Sequence, residues 1–265
     1  TRSGPLLSKV TASVLTCRRI WNTLSLLFQE IHTGQSTKTM DFKDYQNKHL
    51  GERCFILGSA PSLAEEDLSL LKGEKIFVCN RGFRATDIGL DHFDYYVLTE
   101  QIQYEGYQSE IQQRVSCPRF YASYISECET YTSGMQEAHI QIKKSKIEKS
   151  KIRTTGKFPN TFEEGWGKTS TVVFDASLIA YFMGFTEIYL LGADFHYQKE
   201  SNYFFTHSGD VVPIRDNIGL KYLADTVPRF VNFFKSKNIK FVNLSKGLRD
   251  KTIMDTAVFK DVIHG

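Results

Sequence analysis

A burst of four apolar residues, Cys54-Phe55-Ile56-Leu57, runs directly into a turn of small residues, Gly58-Ser59-Ala60-Pro61-Ser62, and then into a segment carrying Glu65, Glu66 and Asp67. A short continuous apolar run bounded by turn residues reads as a strand buried on both faces, which points to a sheet covered by helices on both sides. Ser62 sits where an N-cap belongs, and the acidic residues fall in what would be the first helical turn. Strand, tight turn and helix N-terminus together offer backbone N–H groups to an anion and let a phosphate approach. The same run also fits an ordinary strand-to-helix turn. It is neither a G-x-G-x-x-G dinucleotide fingerprint nor a loop ending in Gly-Lys-Ser/Thr.

From Arg53 onward the alternation repeats. Strands are expected at 53–57, 75–79, 94–98, 187–191 and 239–243, and helices at 64–72, 102–114, 171–183 and 219–236. Strands spaced by helices predict a parallel sheet with right-handed crossovers, and such sheets bind ligands at the carboxyl ends of their strands. Those ends carry Gly58 to Ser62, Asn80-Arg81, Thr99-Glu100-Gln101, Gly192-Ala193-Asp194-Phe195-His196-Tyr197 and Leu244-Ser245-Lys246-Gly247. Polar residues gather at all five, on what the topology makes one rim.

The remaining composition narrows the class. The chain has 265 residues, 41% hydrophobic and 24% charged, which suits one main α/β domain over 41–265 with an appendage over 1–40. A formal net charge of +3 is too small to argue for nucleic acid. The five cysteines, Cys17, Cys54, Cys79, Cys117 and Cys128, have no C-x-x-C spacing, so reduced thiols in a cytoplasmic compartment are expected and zinc is not. No apolar stretch reaches the length of a membrane span.

Within 5–31, Leu7, Val10, Val14, Cys17, Trp21, Leu24, Phe28 and Ile31 recur at steps of three and four, the stripe of an amphipathic helix. It could pack on its own domain, pair with a second copy, or lie on the inner face of a membrane with its Trp/Phe/Leu face down. The polar stretch 32–39 reads as a linker. Residues 116–168 show no strong periodicity and hold a basic tract from Lys143 to Lys157, either solvated surface or a loop attracting an anionic substrate or acidic membrane.

Two blocks carry a family resemblance. Phe55 to Leu63, followed by Val78-Cys79-Asn80-Arg81 and Tyr95-Tyr96-Val97, and the block Ala180 to Phe195 resemble the core of a bacterial superfamily. It contains the sialyltransferases of glycosyltransferase family 42 and the motility-accessory-factor and hydroxymethylpterin-pyrophosphokinase-like domains. The resemblance covers roughly residues 45–262. It implies a modified Rossmann-like single nucleotide-binding domain of the α/β class with a parallel central sheet. It also implies an inverting transfer, without metal or other cofactor, of a sugar from a nucleotide-sugar donor, with a CMP-linked sialic or related nonulosonic acid favoured. The acceptor would be a cell-surface glycan or glycolipid.

The implied donor contacts are Gly58, Ser59, Ala60, Pro61, Ser62 and Asn80, with Glu100 after the third strand and the hydroxyl turn Thr169-Ser170-Thr171 opening the next helix. Ser59 and Glu100 stand where the family has Asn. Asp194 is expected to order the strand end and a lid region near 196–216. In that lid Tyr197 and Tyr203 would bind the leaving phosphate. His207, with His196 as the other candidate, would be the general base, its pKa suited to an acceptor hydroxyl. Arg215 and Lys246 are further candidate anion partners. A Mg²⁺-dependent, ATP-using pyrophosphokinase and a non-catalytic scaffold in glycan assembly remain as alternatives.

Overall fold

The computed structural model describes residues 42–122, 137–140, 142–143, 158–161, 166–167, 169–195, 203–205, 217–248 and 253–265, all within the unit Thr39–Gly265. The expected amphipathic helix over 5–31, its linker, most of the basic tract, His196, Tyr197, His207 and Arg215 lie outside the described residues.

The strands of the main sheet are β1 (Arg53–Leu57), β2 (Lys75–Cys79), β3 (Tyr95–Leu98), β4 (Arg119–Ala122), β5 (Glu137–Ile140), β8 (Glu187–Leu191) and β9 (Lys240–Asn243). They pair in the order β5-β4-β3-β2-β1-β8-β9, and every pair is parallel. Two short strands, β6 (Ile142–Lys143) and β7 (Trp166–Gly167), pair separately. All five expected strands are present within one residue of their expected bounds. β4 and β5 come from the stretch with no periodic signal. β4 is four residues long and begins with a charge, yet Arg119 is buried because its guanidinium donates to the carbonyls of Ile111 and Val115.

Helices α1 (Gln101–Arg114), α2 (Val172–Phe182) and α3 (Asn217–Ser236) fall where the sequence places them, and a short α4 (Phe259–His264) follows. Residues 173–180 of α2 are all buried, Asp175 and Ser177 included. A helix apolar on all sides must be covered on all sides; α2 packs on β1, β2, β3 and β8, and its Phe174 stacks on Phe230 of α3 with ring centroids 4.2 Å apart.

The helix expected over 64–72 is not formed. Two 3₁₀ segments, Pro61–Glu65 and Leu68–Leu71, take its place. Ser62 is not an N-cap: Ala60 holds that position without a side-chain bond, and Ser62 is buried one residue inside. The cause is tertiary. The backbone N–H and hydroxyl of Ser62 both donate to the Asp194 carboxylate, so neither serves a helix start. Extended Glu66 ends the first segment, and Asp67 starts the second by accepting the Ser69 N–H at 3.2 Å. Among the described residues no helix is long and apolar enough to cross a membrane.

Candidate functional site

β1 has β2 on one side and β8 on the other. Successive strands leave β1 in one direction as far as β5, and the chain then returns to β1's other side. That reversal opens a crevice outside the carboxyl ends of β1 and β8, where ligands bind in open parallel sheets. Leu57 pairs with Leu191, so the two strands end side by side. The Gly58 N–H donates to Leu191 O at 2.8 Å and the Ala60 N–H to Gly192 O at 3.0 Å, binding the two turns together.

A cleft opens above this junction. Its walls are Gly58, Ser59 and Ala60 after β1, Cys79 and Asn80 at the end of β2, and Glu100 after β3. Thr171, Val172 and Val173 contribute the start of α2, Gly192 to Phe195 the end of β8, and Tyr203 closes one side. Of the residues singled out from sequence, Gly58, Ser59, Ala60, Asn80, Glu100, Thr171, Asp194 and Tyr203 are thus brought together.

Others are placed elsewhere. Pro61 and Ser62 are not among the wall residues, and Ser62 is committed to Asp194. Thr169 donates to Thr171 O at 2.8 Å, and the hydroxyls of Ser170 and Thr226 of α3 lie 2.6 Å apart, so these two hydroxyls brace the loop beneath the cleft. Lys246 is not among the wall residues: its ammonium donates to Glu65 O at 2.9 Å and lies 3.2 Å from the Glu66 carboxylate.

The glycines have backbone causes. A Cβ on Gly58 would stand 2.3 Å from Gly192 O, so the close approach of the neighbouring turn, before any ligand, demands glycine there. Gly192 has φ +59, and a Cβ on it would meet Leu63 Cβ at 2.9 Å. Asp194 packs against Gly247 on one side and holds Ser62 on the other, which locks the three strand ends into one floor.

Two features of the cleft wall stand out. Asn80 adopts φ 49, in the left-handed region, and its buried Oδ1 has no hydrogen-bond partner among the described residues. Left-handed backbone and an unsatisfied buried acceptor are both costly, and they concentrate where a ligand completes the set. At the start of α2, the Phe174 N–H closes on Thr171 O at 3.0 Å. The N–H groups of Val172 and Val173 therefore have no place in the helical ladder, and Thr171 makes no side-chain cap. That end of the helix presents donors and a partial positive charge to the cleft.

Sequence reading missed Asp175, in the first turn of α2 directly under this end. It is 3% exposed. Burial pushes its carboxyl up to about 7, against hydrogen bonds from Trp166 and Thr99 that favour the ionised form; Glu100 adds to the rise. The Trp166 indole N–H donates at 2.8 Å and the Thr99 hydroxyl at 3.2 Å. An acidic residue in an apolar helical run is the signal that could have marked it.

No protein-family model matches the chain, and no relative is found among curated proteins. Among solved structures, the MAf glycosyltransferase from Magnetospirillum magneticum AMB-1 aligns with 82% of this chain at 15% identity and a TM-score of 0.53. This chain shares that protein's fold. It spans 35% of that protein's length. The sialyltransferase CstII from Campylobacter jejuni, in complex with cytidine-5'-monophosphate, aligns at a TM-score of 0.47, 16% identity, 78% of this chain and 86% of its own. A second structure of that sialyltransferase, with a trisaccharide acceptor and CMP, aligns at 0.47 and 17% identity over the same shares.

Proposed function

We propose that the chain is a glycosyltransferase that uses a nucleotide-linked sugar, with a CMP-linked nonulosonic acid as the favoured donor and a glycan as acceptor. The observation that carries this reading is the convergence, at the switch point of a parallel sheet, of a small-residue turn, an unsatisfied Asn80 acceptor and the free end of α2. The family resemblance of the 53–63 and 180–195 blocks supplies the choice of chemistry, and the fold shared with a MAf glycosyltransferase is consistent with it.

In this reading Asn80 Oδ1 accepts from a hydroxyl or amino group of the donor. The α2 end and the Thr171 hydroxyl take an anionic group, either the donor's carboxylate or its phosphate. Glu100, where a carboxylate would repel a phosphate, meets a ribose or sugar hydroxyl. Transfer is one inverting displacement: the acceptor oxygen bonds to the anomeric carbon, and the bond from that carbon to the phosphate oxygen breaks. CMP leaves with the electron pair, and the acceptor proton passes to a general base. Tyr203, with Tyr197, donates to the departing phosphate, charge stabilisation that serves in place of a metal. His207 takes the proton.

The deciding experiment is a thermal-shift panel with CMP, CDP, UDP, GDP and ATP, each with and without Mg²⁺. A nucleotide at ~100 times its Kd stabilises the fold by about 2.7 kcal/mol. Stabilisation by a cytidine nucleotide without metal supports the reading, and His207→Ala should then retain nucleotide binding while losing transfer. A response to ATP only with Mg²⁺ would favour the pyrophosphokinase instead, for which two carboxylates lining the cleft, Glu100 and Asp194, are the specific observation. Silence across the panel would refute both.

A further inference from the structure

Arg81 is the residue after Asn80, and it is 2% exposed beside the cleft. Its Nη1 donates to the Tyr107 hydroxyl of α1 at 2.7 Å. Its guanidinium lies 4.3 Å from the ring centroid of Tyr203, 4.6 Å from that of Tyr107 and 5.0 Å from that of Phe205. The rings of Tyr203 and Phe205 are themselves stacked, 5.4 Å apart at 21°. Arg84, held by both oxygens of Glu110, lies 4.7 Å from Phe205. Between the two stacked rings, the Phe204 N–H donates to Ser59 O at 3.0 Å, on the cleft's own turn.

The segment Tyr203–Phe205 is thus fastened at two independent points. A main-chain bond ties it to the β1 turn, and a cation face ties its aromatic rings to Arg81, two residues past the β2 end. Each cation–ring contact is weak when exposed and strengthens when desolvated, as at a buried guanidinium. The planar guanidinium also suits stacking in a way an ammonium does not. A cation over the face of a phenol draws electron density from the ring, which makes its hydroxyl a better donor.

We infer that Arg81 is a positioning residue for Tyr203: it clamps the Tyr203–Phe205 strap to the cleft wall and so presents the phenol to the phosphate of a bound nucleotide. The inference rests on the reading of the cleft as a nucleotide-sugar site. Arg81 acts through Tyr203, so its contribution to binding disappears when the phenol hydroxyl is gone.

The test has one arm that needs no ligand. Arg81→Met keeps an unbranched stem but loses the donor to Tyr107 and the cation faces, so a folded variant whose melting temperature falls by about 2–4 °C is expected. Hydrogen exchange at the Phe204 amide should accelerate about tenfold in Arg81→Met, the scale of a cation–π contact, while the β1 and β8 amides stay protected. Arg81→Lys, which keeps the charge without the plane, should fall between. Unchanged Phe204 protection in both variants would overturn the clamp whatever the cleft binds. In the second arm, CMP affinity is measured calorimetrically for wild type, Arg81→Met, Tyr203→Phe and the double variant. Arg81→Met should bind CMP about tenfold more weakly, and the double variant no more weakly than Tyr203→Phe. Equal losses from Arg81→Met in both backgrounds would refute action through Tyr203. Absence of CMP binding in wild type would refute the nucleotide reading, and leave the clamp to be decided by the exchange arm.

Discussion

Asp175→Asn should gain stability over the parent protein as pH rises towards about 7 and hold a constant margin above it. The side chain is 3% exposed and its carboxyl is pushed up to about 7, from an ordinary value of 3.8, chiefly by burial. In the unfolded chain it ionises from about pH 4, whereas the folded protein holds the proton until about pH 7. Stability from this group is therefore full below about pH 4, falls as pH rises through the interval to about 7, and levels off above it. At 1.36 kcal/mol per pK unit, the displacement amounts to roughly 4 kcal/mol lost by pH 8. Roughly 2–3 kcal/mol of that loss falls between pH 5 and pH 8. Asparagine keeps an oxygen for the Trp166 N–H, now 2.8 Å from Oδ1, and its amide can donate to the Thr99 hydroxyl after one rotor turns. The variant therefore loses the titration while keeping the bonds. Guanidinium unfolding of both proteins at pH 5, 6, 7 and 8 measures the difference directly. For a domain of this size, the gain from pH 5 to pH 8 corresponds to a relative rise of about 5–10 °C in Tm. Stability profiles that stay parallel across this range would show that Asp175 titrates normally, and the assignment of burial as the dominant cause would fall with it.

Three shorter predictions concern the floor and wall of the cleft. Gly58→Ala places a methyl 2.3 Å from Gly192 O, a backbone atom that cannot swing aside, and should cost about 2–3 kcal/mol in denaturant unfolding together with nucleotide-induced stabilisation. Ser62→Ala removes the hydroxyl donor to the Asp194 carboxylate, which is 7% exposed, and should cost about 1–3 kcal/mol, whereas a loss under 0.5 kcal/mol would show that the clip is dispensable. Asn80→Gly accepts φ 49 without strain, so its stability should stay within about 1 kcal/mol of wild type while CMP affinity measured by calorimetry drops at least about tenfold. Undiminished CMP affinity would remove Asn80 from the site.

How much was legible in the sequence varies element by element, and the variation has physical causes. Continuous apolar runs such as Phe55-Ile56-Leu57 and Tyr189-Leu190-Leu191 announce strands buried on both faces, because no other placement hides both sides of an extended chain. Alternation with helical segments then implies a parallel sheet, and a parallel sheet implies a rim of strand ends; Gly58, Asn80, Glu100 and Asp194 follow from that step alone. β4 escaped because its burial depends on Arg119 finding carbonyl partners eight and four residues back, a condition that local composition does not express. The 64–72 helix was overestimated for a related reason: the Ser62 donors that would start it are engaged by Asp194, 132 residues away.

The amino-acid pattern by itself determined the α/β class, the strand positions and which residues lie at strand ends, since these depend on hydrophobic periodicity and turn chemistry over a few residues. Tertiary structure alone decided which of those ends face a common cleft. The reversal of strand order beside β1 brings the Gly58 and Gly192 turns within a hydrogen bond of each other and leaves Lys246 outside with Glu66. It also decided that Thr169 and Ser170 brace while Thr171 lines the cleft, and that Asp175 sits under the helix end. Each of these turns on the distance between residues far apart in the chain, and on the burial that distance creates.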